Sequence, residues 1–536
     1  MKRKSLDTMS AIVTDQFRIL NANNFVESVE NTNNSYYIFI GLSNPKGTNT
    51  LVGFGRTTDW DTNTPAPTDS FAYRKHTTDT MMFGRKISSA NIRRIIRRVD
   101  WVSGNKYEIY RDDYSAQNPS PNTKANSLYD ANYYVLNSDF KVYVCIDNGS
   151  TGSNPTGNVS QDEPTFTDLE PSKAGSSGDG YVWKYLFTVS PSDIVKFDST
   201  EFITVPNGWL TSTDSQIRSV RENGNSDVNL NQIKHIYIEN SGVGYKNGTG
   251  QEVDIIGDGI GGKARVDVVG GKITDITVSS GGKGYTYATV DLGNIRTNAV
   301  STSAKLVPII PPSLGHGYDI YTELGTDKVI CYARFDDTTK DFPTDTKFAQ
   351  IGIVKNPTKP DSSTIYTADS YSSLQAIKFS TVNGTPTIGE EIEQVLTVSP
   401  NKDKLARGYI ASFDEETKVL KYFRDRSLNF NQTTLDHTDY SGISTTGRIY
   451  QFESSVGGNV VKGLESSFTG SVETGFTGVS TITSGNKLVN LGTNFNAGLS
   501  QSEINKGSGE VIYLDNRPEI TRSTRQKEDI KIILEF

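Results

Sequence analysis

The sequence predicts an α+β chain that is predominantly β, a multidomain, elongated subunit of short antiparallel sheets with a few N-terminal helices and inserted β domains. Three observations carry this. The 48 glycines, with many Thr, Ser and Asn around them, mark frequent turns between short strands. The 26 Tyr and 23 Phe supply large side chains for burial where only 35% of the residues are apolar. An internal repeat near the middle reads as strand, glycine turn, strand, a unit too small to bury a face alone. At roughly 100–200 residues per domain, the 536 residues make about three or four folding units.

Residues 10–30 carry Ile12, Val13, Phe17, Leu20, Phe25, Val26 and Val29 at amphipathic-helix spacing, interrupted around 21–24. Ser35-Tyr-Tyr-Ile-Phe-Ile-Gly41 reads as a buried strand closed by a Gly-Leu-Ser-Asn-Pro turn, and residues 56–70 as a Thr/Asp/Pro-rich loop. Residues 89–101 read as a second helix. There Ile92, Ile95, Ile96 and Val99 fall at i, i+3, i+4 and i+7, and Arg93, Arg94, Arg97 and Arg98 pair with acidic groups. Strands are expected at 142–146 and 181–189, around a polar loop at 147–180. Residues 201–206 form an edge strand ended by Pro206, and the polar stretch 211–230 a boundary.

In the repeat, Ile233-Lys-His-Ile-Tyr-Ile-Glu-Asn-Ser-Gly-Val-Gly-Tyr245 aligns with Ile273-Thr-Asp-Ile-Thr-Val-Ser-Ser-Gly-Gly-Lys-Gly-Tyr285 at a constant offset of 40 residues. A second strand follows each turn, at 253–256 and 289–292, and residues 263–269 join the copies. Beyond the turn-rich 311–318 segment, strands are expected at 348–354, 393–398, 407–413, 420–423 and 460–464. Strands at 511–514 and 530–536 close the chain around a turn at Arg517-Pro518. The resulting organisation is an N-terminal α+β domain over 1–215, an inserted β domain over 230–300, a return to the core over 301–357, a second inserted β-rich domain over 358–505, and completing strands over 506–536.

The chemistry is sparse. A net charge of −8, from 54 basic and 62 acidic residues, argues against nucleic-acid binding, which requires a basic surface. No run of about 18 apolar residues is present, so no membrane insertion is expected, and no signal-peptide core follows the basic N-terminus. Cys145 and Cys331 read as buried thiols. His76, His235, His316 and His437 lack metal-ligand spacing, so neither metal nor cofactor is expected. Gly257, Gly259 and Gly262 match Gly-x-Gly-x-x-Gly, but the following residues alternate as a strand where a dinucleotide site needs a helix. The two Gly-Asp-Gly sequences, at 178–180 and 257–259, read as turns. His316, between two glycines, fixes its loop by a local hydrogen bond, and the neighbours Asp112–Asp113 and Glu390–Glu391 are surface charge. No enzyme activity is expected.

Several segments, in order, resemble the gene product 8 family of baseplate wedge subunits of T-even-type contractile-tailed phages. They are Ala11-Ile-Val-Thr-Asp-Gln-Phe-Arg18 with Tyr37-Ile-Phe-Ile-Gly41; Pro67-Thr-Asp-Ser70 with Met81-Met82 and Arg97-Arg98-Val99-Asp100-Trp101; and Gly178-Asp-Gly-Tyr-Val-Trp-Lys-Tyr-Leu-Phe187 with Val205-Pro206. Gln350-Ile-Gly-Ile-Val-Lys-Asn-Pro357 and Ser508-Gly-Glu-Val-Ile-Tyr-Leu-Asp-Asn-Arg-Pro518 complete the set. Residues 230–300 and 358–505 look like insertions, and Gly315-His-Gly-Tyr318 resembles the longer marine-myophage form. The resemblance implies a structural subunit of the virion tail baseplate, assembled in the host cytoplasm. It would form a homodimer within each wedge, contact other wedge subunits, and take part in the rearrangement that triggers sheath contraction. It implies no catalytic residue; Arg97, Arg98, Asp100, Trp101, Tyr181, Trp183, Asn516, Arg517 and Pro518 stand as fold or interface candidates. The alternative is a tail-associated adhesin that binds host surface glycan through the inserted β domains.

Overall fold

The computed structural model describes residues 14–41, 64–336 (apart from 65, 68 and 70), 347–397, 404–424, 451–454, 460–521 (apart from 493) and 526–536. Strands hold 42% of the chain and helices 12%, so the predominantly β class is what forms. The turn after Gly41 and the loop expected from residue 56 to 63 lie outside the described residues, as do residues 10–13 of the first helix. Contacts divide the chain into two units. One comprises Met1–Val26, Arg93–Ile330 and Ile533–Phe536, the other Glu27–Ile92 and Cys331–Ile532.

The first helix, Asp15–Glu30, runs unbroken through the asparagines expected to interrupt it. Its buried positions are Ile19, Ala22, Val26 and Val29. Asn23 does not compete for the helix backbone because its Oδ1 accepts a 2.6 Å hydrogen bond from Arg94 Nε.

The helix expected over 89–101 is absent. A single 3-10 turn, Ser89–Asn91, leads into the strand Ile92–Arg97, which pairs antiparallel with Phe202–Val205. The helical spacing is a by-product of a strand covered on both faces. Ile92, Ile95 and Ile96 are buried, and so is Arg94 between them, which removes the alternation a half-exposed strand would show. The run of β-branched isoleucines favours the extended form.

The main sheet of the first unit has the strand order Tyr134–Leu136, Lys141–Asn148, Tyr181–Thr188, Ser172–Lys173. Its core is aromatic: Trp183, Trp209, Tyr133, Tyr134, Tyr143 and Tyr181 are all within 1% of full burial. The polar stretch 211–230 contains the helix Ser215–Gly224, capped by Asp214, with Val220 buried and Gln216 bonded to Tyr185 of the sheet.

The repeat forms a four-stranded sheet in the order Lys272–Lys283, Ile260–Val269, Gly248–Gly257, Ala288–Asp291, beside a two-stranded ladder of Ile236–Asn240 with Lys305–Pro308. The two copies share backbone geometry as well as letters. Gly242 and Gly282 have φ of 62° and 60°, and Gly244 and Gly284 have 96° and 80°, a region costly for any residue with a Cβ. Tyr245 and Tyr285 both enter one apolar cluster with Val253, Ile255, Val266 and Ile273.

In the second unit, a five-stranded sheet has the order Ser370–Ser372, Met81–Ile87, Tyr36–Gly41, Lys347–Lys355, Glu510–Thr521. The expected turn at Arg517-Pro518 is not there, because Glu510–Thr521 is one continuous edge strand. Its register with Lys347–Lys355 shifts between Gln350↔Asn516 and Phe348↔Ile520, so Pro518 sits in a bulge. A bulge on an edge strand is where proline's missing N–H costs no ladder bond. The strand Gln375–Asn383 pairs with both Val419–Phe423 and Thr469–Val472. With Lys404–Asp414, Glu391–Thr397 and Val460–Gly463, they close a small antiparallel barrel filled by Ile377, Phe379, Ile392, Ile410, Phe468 and neighbours.

Candidate functional site

The arginines of the Ile92–Arg97 strand and the loop after it all find partners in the first unit. Arg93 Nε donates to Asp193 Oδ2 at 2.9 Å. Arg94 lies over the Tyr321 ring at 4.1 Å and reaches Asn207 Oδ1 at 3.2 Å. Arg97 donates to the carbonyls of Asp130 and Ala131 at 3.1 and 3.0 Å. Arg98 grips Asp100 through Nε at 2.9 and 3.1 Å, and Asp198 through Nη1 at 3.0 Å. Pairing with acidic groups, the expectation from a chain of negative net charge, therefore holds for Arg93 and Arg98; Arg97 caps carbonyls instead. Arg97 and Arg98 line a cleft of about 540 Å³ with Arg18 and Lys328, opposed by carboxylates that include Asp15, Glu201 and Asp327.

Trp101 anchors the next turn, its indole N–H donating to Ser160 Oγ at 3.0 Å and its amide to the Leu136 carbonyl at 2.8 Å. Tyr181 and Trp183 stack at 5.3 Å between centroids with 14° between planes. Tyr181 Oη accepts from the Tyr107 amide and donates to the Asn158 carbonyl, both at 2.9 Å. The Trp183 indole N–H is buried without an acceptor.

Tyr107, which the sequence did not single out, joins the two groups. Its ring is edge-on to both Tyr181 and Trp183, while its hydroxyl accepts from the Val102 amide at 2.7 Å and donates to the Asp100 carbonyl at 3.1 Å. Burial raises its pKa. Arg111 was missed too. It is 2% exposed, bidentate to Asp113 at 2.8 and 2.6 Å, and lies over Tyr237 at 4.2 Å and Tyr114 at 5.3 Å. The signal available was only the Arg-Asp-Asp run.

In the second unit, Asn516 is buried and accepts from Gln350 Nε2 at 2.8 Å across the sheet, and Arg517 is exposed with Nε on Asp515 at 2.7 Å. The nine candidates thus form no single cluster: six lie in the first unit and three in the second.

The remaining motifs resolve into anchoring. His316 Nδ1 lies 2.7 Å from Glu323 Oε1, and Glu323 Oε2 accepts the Gly317 amide at 2.7 Å, so this buried pair fixes the glycine turn. Glu390, expected as surface charge, is instead fully buried, and accepts from the amides of Thr387, Glu465 and Ser466 and from Ser466 Oγ. Among Gly257, Gly259 and Gly262, the last two leave room for Tyr285, whose atoms would lie within 2.6 Å of a Cβ at either. Asp179 and Asp258 close their turns by accepting amides. For Asp258, the Thr286 hydroxyl and amide hold the carboxyl down at about 2. Lys184 is lowered to about 8 by burial, and Cys145 and Cys331 are buried thiols pushed up by the same cause. Among the described residues, no group of three or more His, Cys, Asp or Glu is placed to hold a metal ion, and no helix is long and apolar enough to cross a membrane.

The described residues therefore define a β-rich chain of several sheets whose singled-out arginines, carboxylates and His316 make internal hydrogen bonds. No family model matches the chain. It is similar to baseplate wedge protein gp8 of Enterobacteria phage T4, with 27% identity over 219 residues, covering 37% of this chain and 60% of the T4 protein. That relative is, by its name, a protein of a phage baseplate wedge.

Proposed function

We propose that this chain is a structural subunit of a contractile-tail baseplate wedge and works through protein–protein contacts. The observation that carries the reading is the similarity to T4 baseplate wedge protein gp8. The way buried polar groups are used supports it. Arg111, Glu323 and Glu390 hold loops in place, as a scaffold with fixed surfaces requires. On this reading the protein is not an enzyme. Arg97, Arg98, Asp100, Trp101, Tyr181, Trp183, Asn516, Arg517 and Pro518 shape the surfaces that meet neighbouring subunits. A homodimer in each wedge, contacts to the other wedge proteins, a place in the tail baseplate after assembly in the host cytoplasm, and participation in the rearrangement that triggers sheath contraction all belong to the proposal. So does the division of the chain at 230–300 and 358–505 into added β domains. The test mixes the purified chain with the other wedge proteins of the same phage and weighs the products by native mass spectrometry. A dimer that joins the wedge complex is expected. A monomer that enters no complex with tail proteins contradicts the proposal.

A further inference from the structure

Lys184, on the Tyr181–Thr188 strand, is 3% exposed, and among the described residues no carboxylate pairs with it. Its amine donates to the Leu169 carbonyl and, at 2.7 Å, to Oδ1 of Asn223 in the last turn of the helix Ser215–Gly224. The nitrogen of that carboxamide, Nδ2, donates to Glu170 Oε1 at 2.9 Å. Glu170 is held in turn by Asn229 Nδ2 at 2.7 Å and by Lys234 at 3.1 Å. An amine, a carboxamide and a carboxylate are thus in contact in that order, the amine at the oxygen and the carboxylate at the nitrogen of the amide. Burial lowers Lys184 to about 8, against the charges of Glu170 and Glu323 and with that of Lys234. About a tenth of it is therefore the neutral, nucleophilic amine at pH 7.

We propose that Lys184 and Asn223 join in an intramolecular isopeptide bond with release of ammonia. The lone pair of Lys184 Nζ attacks Cγ of Asn223, which lies one C=O bond, about 1.2 Å, from an oxygen already in contact with the amine. Turning the lone pair onto Cγ takes only rotation about the Cε–Nζ bond. The Nζ–Cγ bond forms and the Cγ–Nδ2 bond breaks. One amine proton passes by way of the Glu170 carboxylate to Nδ2, which leaves as ammonia, so no oxidant or external reactant is needed. Two groups held together by one fold react at an effective concentration that free lysine and asparagine side chains never reach. Glu170 touches the departing nitrogen, where its charge stabilises the positive charge that develops. Afterwards Glu170 keeps Asn229 and Lys234, and a covalent tie fixes the helix to the sheet.

Lys234 makes a comparison within the same cluster. It lies 2.7 Å from Asn229 Oδ1, and Asn229 also donates to Glu170. Its ammonium, however, is ion-paired with Glu170 at 3.1 Å and in that form offers no lone pair. Ammonia is also lost when an Asn-Gly step such as Asn223-Gly224 closes to a succinimide through its own backbone, and the test separates the two.

The full purified chain is aged above about pH 8, where Lys184 is neutral, then unfolded and weighed by mass spectrometry. It is expected to be one ammonia lighter than its sequence. Trypsin is expected to give a branched peptide that joins residues 174–196 to residues 222–234, uncut at Lys184. Lys184→Arg, which keeps the charge and its donors, is expected to lose no ammonia. Glu170→Gln is expected to form the bond about a hundredfold more slowly. Thermal melting confirms that the variants fold, and the wild-type peptide map decides the matter even where one does not. A chain at its full sequence mass overturns the inference. So does an ammonia loss that persists in Lys184→Arg or comes without the branched peptide, or a branch from Lys234 to Asn229 in its place. Glu170→Gln reacting as fast as the wild type overturns the role given to Glu170.

Discussion

Tyr245 and Tyr285 occupy equivalent places in the two repeat copies, yet replacing each with phenylalanine is expected to have unequal effects. Tyr285 is 1% exposed; its hydroxyl donates to the Ile255 carbonyl and accepts the Gly262 amide, both at 3.0 Å. Tyr285→Phe leaves a buried donor and a buried acceptor without partners while keeping the ring's packing, a loss of about 2 kcal/mol. The Tyr245 hydroxyl accepts only the Ala304 amide, at 2.9 Å in a part-buried setting that water can reach, so Tyr245→Phe loses about 1 kcal/mol or less. Native-state hydrogen exchange reads this directly. The Gly262 amide should exchange about thirtyfold faster in Tyr285→Phe, and the Ala304 amide no more than about fivefold faster in Tyr245→Phe. Similar effects in both variants, or none at Gly262, would refute the claim that the second tyrosine pins the Gly248–Gly257 and Ile260–Val269 strands together.

Three further outcomes are expected. Trp209 donates its indole N–H to the carbonyls of Gly317 and Tyr318 at 3.1 and 3.0 Å, whereas that of Trp183 has no acceptor. Trp209→Phe should therefore lower the thermal midpoint more than Trp183→Phe, by about 1 kcal/mol of extra destabilisation. Arg111→Lys cannot reproduce the bidentate grip on Asp113 or the stacking on Tyr237, and a loss of about 3 kcal/mol in urea unfolding is expected. Burial acts to raise the Glu170 carboxyl, but hydrogen bonds from Asn223 and Asn229 and the Lys234 charge outweigh it, leaving it at about 2 against an ordinary 4.5. Because the folded value is the lower one, its stabilisation is present above pH 4.5 and lost as pH falls toward 2. Lys234→Ala should flatten that part of the stability–pH curve followed by thermal melting.

The repeat was legible because its determinants are local: glycines at positive φ and, three residues after the first of them in each copy, a tyrosine whose ring lies against that glycine. The strand at 181–189 was legible for the same reason, a long apolar and aromatic run. The strand Ile92–Arg97 was misread because burial on both faces erases the alternation that marks a strand, and three isoleucines happened to fall at helical spacing. The barrel could not be seen as closed, since closure rests on Gln375–Asn383 pairing with strands that begin at 419 and 469. Arg98, Asp100 and Trp101 were legible as candidates, but the residue that links them to Tyr181 and Trp183, Tyr107, lies in an irregular stretch with no periodic signal.

Immunogold labelling of intact phage tails, with an antibody raised to the 230–300 module, tests the baseplate assignment most directly. Gold at the tail-end baseplate, with the chain present in the purified particle by mass spectrometry, is the expected result. Gold on fibres or the head, or particles that lack the chain altogether, would contradict it.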